Sequence, residues 1–166
     1  MPISSSRQPF RTIVGSESPA FLFAALLWHE VLAAWKAREA RGEHSLAGLD
    51  HAMDEVLETQ AEKLAITRKL TATMREVWSM QPRLETRSGP RAFRVLEAPR
   101  FRMAYDFLAL RAASGEVPAD LEAWWRAFQS ADTETRKAML LPETAPRKRR
   151  RRRRRKPPPA ASSEAA

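Results

Sequence analysis

The 166-residue chain contains no cysteine, so neither a disulfide framework nor a thiolate metal site can form, and nothing in the composition points outside the cytoplasm. Glycine is scarce. Its five copies, Gly15, Gly42, Gly48, Gly89 and Gly115, stand singly, which leaves no glycine-rich loop to cradle a triphosphate. Long apolar runs are missing too. The most apolar stretch, Ala20 to Trp28, leads straight into His29 and Glu30 and is too short to span a bilayer. The opening MPISSSRQPFR lacks the apolar centre of a signal peptide. The expectation is a cytoplasmic protein without membrane association. His29-Glu30 starts like a zinc-protease helix, yet the position four after His29 is Ala33, and His44 and His51 have no third ligand nearby. No metal site and no catalytic residue can be nominated from spacing.

What the chain does have is positive charge, unevenly placed. Ten of its 29 basic residues fall in 147–156, and the 19 that remain balance the 19 acids left when Glu164 is set aside from the 20. The body is neutral and the tail carries the excess. Inside the body the signs separate again: Glu17 to Glu62 holds nine acids and three bases, whereas Lys63 to Arg102 holds ten bases and three acids. A neutral domain with a basic middle suggests one face made for a polyanion, with RNA or DNA the obvious candidate.

Apolar spacing is helical throughout, and no segment alternates like a strand. Ser18-Pro19 opens a helix to about Arg41 that is apolar on most sides (Phe21, Leu22, Leu26, Leu27, Trp28, Val31, Leu32, Trp35), suited to a bundle centre or to a partner domain. Ser45 to Ala65 reads as a second helix with Leu46, Leu49, Met53, Val56, Leu57 and Leu64 inward and its acids on a solvated outer face. Thr67 caps a third, reaching about Met80 and ended by Pro82. Gly89-Pro90 reads as a turn before a short helix, Arg91 to Ala98. Pro99 breaks that helix and opens another, with Phe101, Tyr105, Leu108, Phe107 and Leu110 on its apolar face. Pro118 to Ala131, with Leu121, Trp124, Trp125 and Phe128, and Thr133 to Leu141, capped by Asp132, complete an all-α helical bundle. The division expected is a disordered leader at 1–17, or the product of a truncated reading frame there, a helical body at 18–141 and a disordered Arg/Pro-rich tail at 142–166.

The run GPRAFRVLEAPRFRMAYDFLALRAASGE, preceded by KLAITRKLT and MREVWSMQPRL and followed by a Trp-Trp helix and an arginine tail, closely resembles the C-terminal part of bacterial poly(A) polymerases. The resemblance extends from about Pro19 to Lys156. It implies an all-helical RNA-binding body in a family that adds adenylates to RNA 3′ ends and so marks the RNA for decay. The partners it implies are single-stranded RNA 3′ ends, a catalytic head on another chain, and an RNA helicase or other decay factor docked on the acidic face or the Trp-Trp helix. The candidate RNA contacts are Lys63, Arg68, Lys69, Arg75, Arg91, Arg94, Arg100 and Arg102 in the body. In the tail they are Arg147, Lys148, Arg149, Arg150, Arg151, Arg152, Arg153, Arg154, Arg155 and Lys156. Trp124 and Trp125 could stack on bases, although packing on the core is the plainer account.

The family's catalytic head is marked by a Gly-rich loop and two aspartates one residue apart, which hold the Mg²⁺ that bridges the nucleotide phosphates. Here the aspartates are Asp50, Asp54, Asp106, Asp120 and Asp132, and no two are so spaced. ATP and Mg²⁺ would be handled by a head that this chain does not carry, so no cofactor is expected on it. Pure chain supplied with ATP, Mg²⁺ and an RNA primer is therefore expected to give no primer extension on a denaturing gel. Metal-dependent incorporation would overturn that reading.

Overall fold

A computed structural model describes residues 18–142. The leader at 1–17 and all but the first residue of the expected tail, including the arginine block, lie outside the described residues. Among the described residues there are seven helices and no strand: α1 (Pro19–Ala40), α2 (Ser45–Gln60), α3 (Arg68–Leu84), α4 (Gly89–Leu96), α5 (Phe101–Ala113), α6 (Ala119–Ser130) and α7 (Thr133–Met139). The all-α expectation holds.

Local chemistry explains most of the boundaries. Pro19 sits at the start of α1, where its missing N–H costs nothing. Gly42 follows that helix with φ 86°, and Gly115 follows α5 with φ 77°, both left-handed positions that glycine enters freely. Asp132 caps α7 by accepting the Thr135 backbone N–H at 2.8 Å, and this bond holds the carboxyl below its ordinary pKa.

Beyond shifts of one or two residues at the ends of other helices, three boundaries differ from the sequence expectation. α2 stops at Gln60 rather than Ala65 because residues 61–65 close a turn, in which Ile66 N–H donates to the Ala61 carbonyl and Ala65 takes φ 52°. An alanine in the left-handed region gives no warning in sequence, where a glycine would have. α3 runs past Pro82 to Leu84, since Leu84 is fully buried and its carbonyl accepts the Trp125 indole N–H at 2.6 Å, which offsets the main-chain bond that proline removes. Gly89-Pro90 is the first turn of α4 rather than a separate turn, with Gly89 at φ 57°.

The buried side chains form two clusters. Residues of α1 and α2 (Phe21, Leu27, Trp28, Val31, Leu49, Met53, Val56) pack with Met74, Val77 and Trp78 of α3 and with Phe107 of α5. Further along, Met80 and Leu84 of α3 join Ala92 and Val95 of α4, Phe101, Ala104, Tyr105 and Leu108 of α5, and Leu121, Trp125 and Phe128 of α6. α3 and α5 thus serve both cores. Leu22, Leu26, Leu46, Leu64 and Leu110, all expected on apolar faces, are exposed instead. Leu46 lies in the first turn of α2, Leu64 in the turn that ends it, and Leu110 beyond the face of α5 that meets α3 and α6. By length and composition α1 would suffice to cross a membrane, but seven of its residues are buried against other helices.

A polar seam joins the cores. Gln81 is fully buried, donates through Nε2 to the carbonyls of Val77 (3.0 Å) and Ala104 (3.2 Å), and accepts from Arg111 Nη1 at 3.0 Å. Arg111, itself buried, donates through Nε to Glu116 at 2.8 Å and lies 4.8 Å from the centre of the Trp28 ring, whose N–H also donates to Glu116. All five tryptophan N–H groups are in fact bonded: Trp35 to the Ser45 carbonyl, Trp78 to Ala24, Trp124 to Met139, Trp125 to Leu84, and Trp28 to the Glu116 carboxylate.

Two stability measurements follow. Gln81→Leu strands a buried guanidinium nitrogen of Arg111 and removes the second bond to the Ala104 carbonyl, and is expected to cost about 2–4 kcal/mol in urea unfolding. Ala65→Gly relieves the left-handed turn and should stabilise the body by about 0.5–1 kcal/mol, after the loss of chain entropy is subtracted.

Candidate nucleic-acid interface

Two adjoining clefts lie along the C-terminal half of α3. The first, about 300 Å³, is lined by Met80, Arg83, Thr86, Arg91, Arg94, Val95 and Ala98. The second, about 650 Å³, is lined by Arg75, Glu76, Ser79, Met80, Arg83, Ala98, Pro99 and Arg100. They share Met80, Arg83 and Ala98, so together they make one groove. Its walls follow from helical spacing: Glu76, Ser79, Met80 and Arg83 form an i, i+3, i+4, i+7 stripe on α3, and Arg91, Arg94, Val95 and Ala98 repeat that spacing along α4 and the turn after it.

The arginines of this groove are of two kinds. Arg83, Arg91 and Arg94 are exposed and have no ion pair or hydrogen bond among the described residues. The lining of the first cleft contains no acid at all. Arg75 and Arg100 are tied down: Arg75 pairs with Asp50 (2.8 Å) and Asp54 (2.5 Å), and Arg100 with Glu76 (2.8 Å). Because these pairs are solvent-exposed they hold loosely, each contributing about 0–1 kcal/mol, and a polyanion could compete for either cation.

The other expected contacts lie elsewhere. Lys63, Arg68 and Lys69 are exposed at the α2–α3 junction, about 20 Å along α3 from Arg83. They carry charge at the far end of the same helix. Arg102 is engaged within α5, bonded to the buried Asp106 at 3.3 Å, and lines neither cleft. Arg147–Lys156 lie outside the described residues. Arg83 was not among the expected contacts. Reading Pro82 as the end of α3 placed it in a turn, whereas the continued helix sets it one turn beyond Met80, facing α4.

Three acids of the acidic helix and both rings of the Trp-Trp pair have partners within the body. Asp50 and Asp54 hold Arg75, and Glu55 holds Arg38 through a hydrogen bond that is the main cause of the guanidinium's pKa being raised above its ordinary value. Glu43 bonds His51, the main reason its carboxyl titrates below its ordinary value. Trp125 is fully buried, and Trp124 stacks on Phe128 with ring centres 4.5 Å and planes 15° apart, as the plainer account of the pair expected. A shallow depression lined by Arg38, His51, Asp54, Glu55, Glu58 and Thr59 is too acidic for a polyanion. Among the described residues no group of three or more histidines and carboxylates is placed to hold a metal ion.

Residues 41–157 match the family described as the polymerase A arginine-rich C-terminus. The chain is similar to poly(A) polymerase I of Escherichia coli O157:H7, with 41% identity over 127 residues that cover 74% of this chain and 27% of the relative. Poly(A) polymerase I of Salmonella typhimurium is 38% identical over 128 residues, with the same coverage. That of Haemophilus influenzae is 34% identical over 130 residues, covering 74% of this chain and 28% of the relative. The chain spans about a quarter of the length of these relatives. With the family match covering most of the chain and taking in α2 to α7, the chain belongs to the family of the polymerase A arginine-rich C-terminus.

Proposed function

We propose that this chain is an RNA-binding body related to that of poly(A) polymerase, which holds a single-stranded RNA 3′ segment while adenylates are added by a catalytic head using ATP and Mg²⁺. The observation that carries the reading is the run of Arg83, Arg91 and Arg94, without ion partners among the described residues, along one acid-free cleft that opens into a second. Unpaired guanidinium groups on one surface attract a polyanion, and their planar forks match phosphate oxygens. The tail, Arg147 to Lys156, adds sequence-independent affinity and association rate. Localisation in the cytoplasm and a place in RNA processing and decay go with this reading.

A second reading concerns protein partners. Leu22 and Leu26, one turn apart on α1, are 56% and 57% exposed, and α1 lies outside the family match, which supports α1 as a seam for a catalytic head. An adaptor role for a helicase has less support at the Trp-Trp pair, where Trp125 is fully buried and Trp124 is stacked on Phe128 within the body.

The test is binding of a labelled oligo(A) across a salt series. Exchanging Arg83, Arg91 and Arg94 together for glutamine is expected to weaken binding and to lower the logarithmic salt slope by about 0.7 for each phosphate that is no longer neutralised. Each exchange alone should leave stability within about 0.5 kcal/mol, since no partner is stranded. A chain ending at Pro146 should retain a residual slope from the groove. An unchanged slope in the triple variant would remove the groove from the function.

A further inference from the structure

We infer that the smaller cleft is a base-receiving subsite, in which one unpaired nucleobase leaves the strand and lies on an apolar floor between arginine planes. The inference rests on the RNA-binding reading above and goes beyond it, because phosphate attraction alone needs no cavity. The floor is built of Met80, Val95 and Ala98, with Met80 and Val95 almost wholly buried, and it faces Arg83, Arg91 and Arg94. Its volume, about 300 Å³, lies at the small end of the range for small-molecule pockets, about 300–1,000 Å³, and is suited to one nucleotide unit rather than a helix.

Each wall supplies something a base requires. The guanidinium planes can stack on a splayed base, which is how unpaired RNA is commonly held, and the methionine and valine side chains accept the opposite π-face without hydrogen bonding to it. Such a subsite is tolerant of base identity, since every base has a π-face. A duplex cannot use it, because its bases are stacked and paired, and it would meet only the arginines on the rim. The larger cleft next door, lined by Arg75, Arg83 and Arg100, then receives the adjoining backbone. The two clefts together favour single-stranded RNA over a duplex.

The experiment uses the full chain, a dye-labelled single-stranded oligo(A) and a dye-labelled RNA duplex of equal length, read by anisotropy across a salt series. Ala98→Leu fills the floor and leaves every arginine in place. It is expected to weaken single-strand binding by about tenfold, the scale of one base stack, with the salt slope and the duplex affinity unchanged. Ala98→Phe, which fills the same floor further, should act alike, and far-ultraviolet circular dichroism checks that both variants keep their helices. Equal weakening for single strand and duplex, or no weakening in either correctly folded variant, would overturn the subsite. Absence of RNA binding by the unaltered chain would instead take down the reading beneath it.

Discussion

The Gln81–Arg111 bond is the constraint on which the two halves of this body depend. A buried guanidinium is tolerable only when its N–H groups are directed at acceptors, and here the Gln81 oxygen, the Glu116 carboxylate and the Trp28 ring supply them. Gln81 in turn reaches the Ala104 carbonyl on α5. One amide thus fixes the rotation of α3 against α5 at the level where one apolar core gives way to the other. Hydrophobic burial is non-directional, whereas a buried donor must meet its acceptor, so the amide selects among rotations that burial alone would weigh alike.

The groove inherits that rotation. Met80 and Arg83 flank Gln81 on α3, so the seam that buries the amide also turns their side chains toward α4. The contrast between tied and untied arginines then gives the groove its character. Arg75 and Arg100 stand on surface pairs, which keeps that end of the groove near neutral until a stronger anion arrives, while the α4 end presents its charge continuously.

Helix number, order and most core positions were legible in the sequence because spacing and punctuation agreed: Pro19 and Asp132 mark helix starts, and Gly42 and Gly115 mark helix ends. Misreadings arose where tertiary bonds overrode local rules. Pro82 reads as a terminator, yet the burial of Leu84 and the Trp125 N–H carry α3 onward, and this concealed Arg83. Ala65 hides a left-handed turn behind a residue that usually extends helices. Of the charged candidates, Arg91 and Arg94 fell in the cleft, but the sequence could not separate them from Arg75, Arg100 and Arg102. Their carboxylate partners are distant in the chain for Arg75 and Arg100, and Arg102 turns toward its own helix. The resemblance to bacterial poly(A) polymerases was legible in the order of the short runs from Lys63 to Glu116, and the family match over 41–157 bears it out from the end of α1 onward.

Four of the five indole N–H groups end on main-chain carbonyls, those of Ser45, Ala24, Met139 and Leu84. A carbonyl is offered by any residue, so these four bonds themselves set no demand on the accepting side chain. Drift at Ser45 and Met139, which are only partly buried, can therefore proceed without loosening the frame, whereas Ala24 and Leu84 are held separately by their burial. Trp28 is the exception: its acceptor is the Glu116 side chain, shared with Arg111, and at that one junction donor and acceptor must change together or not at all.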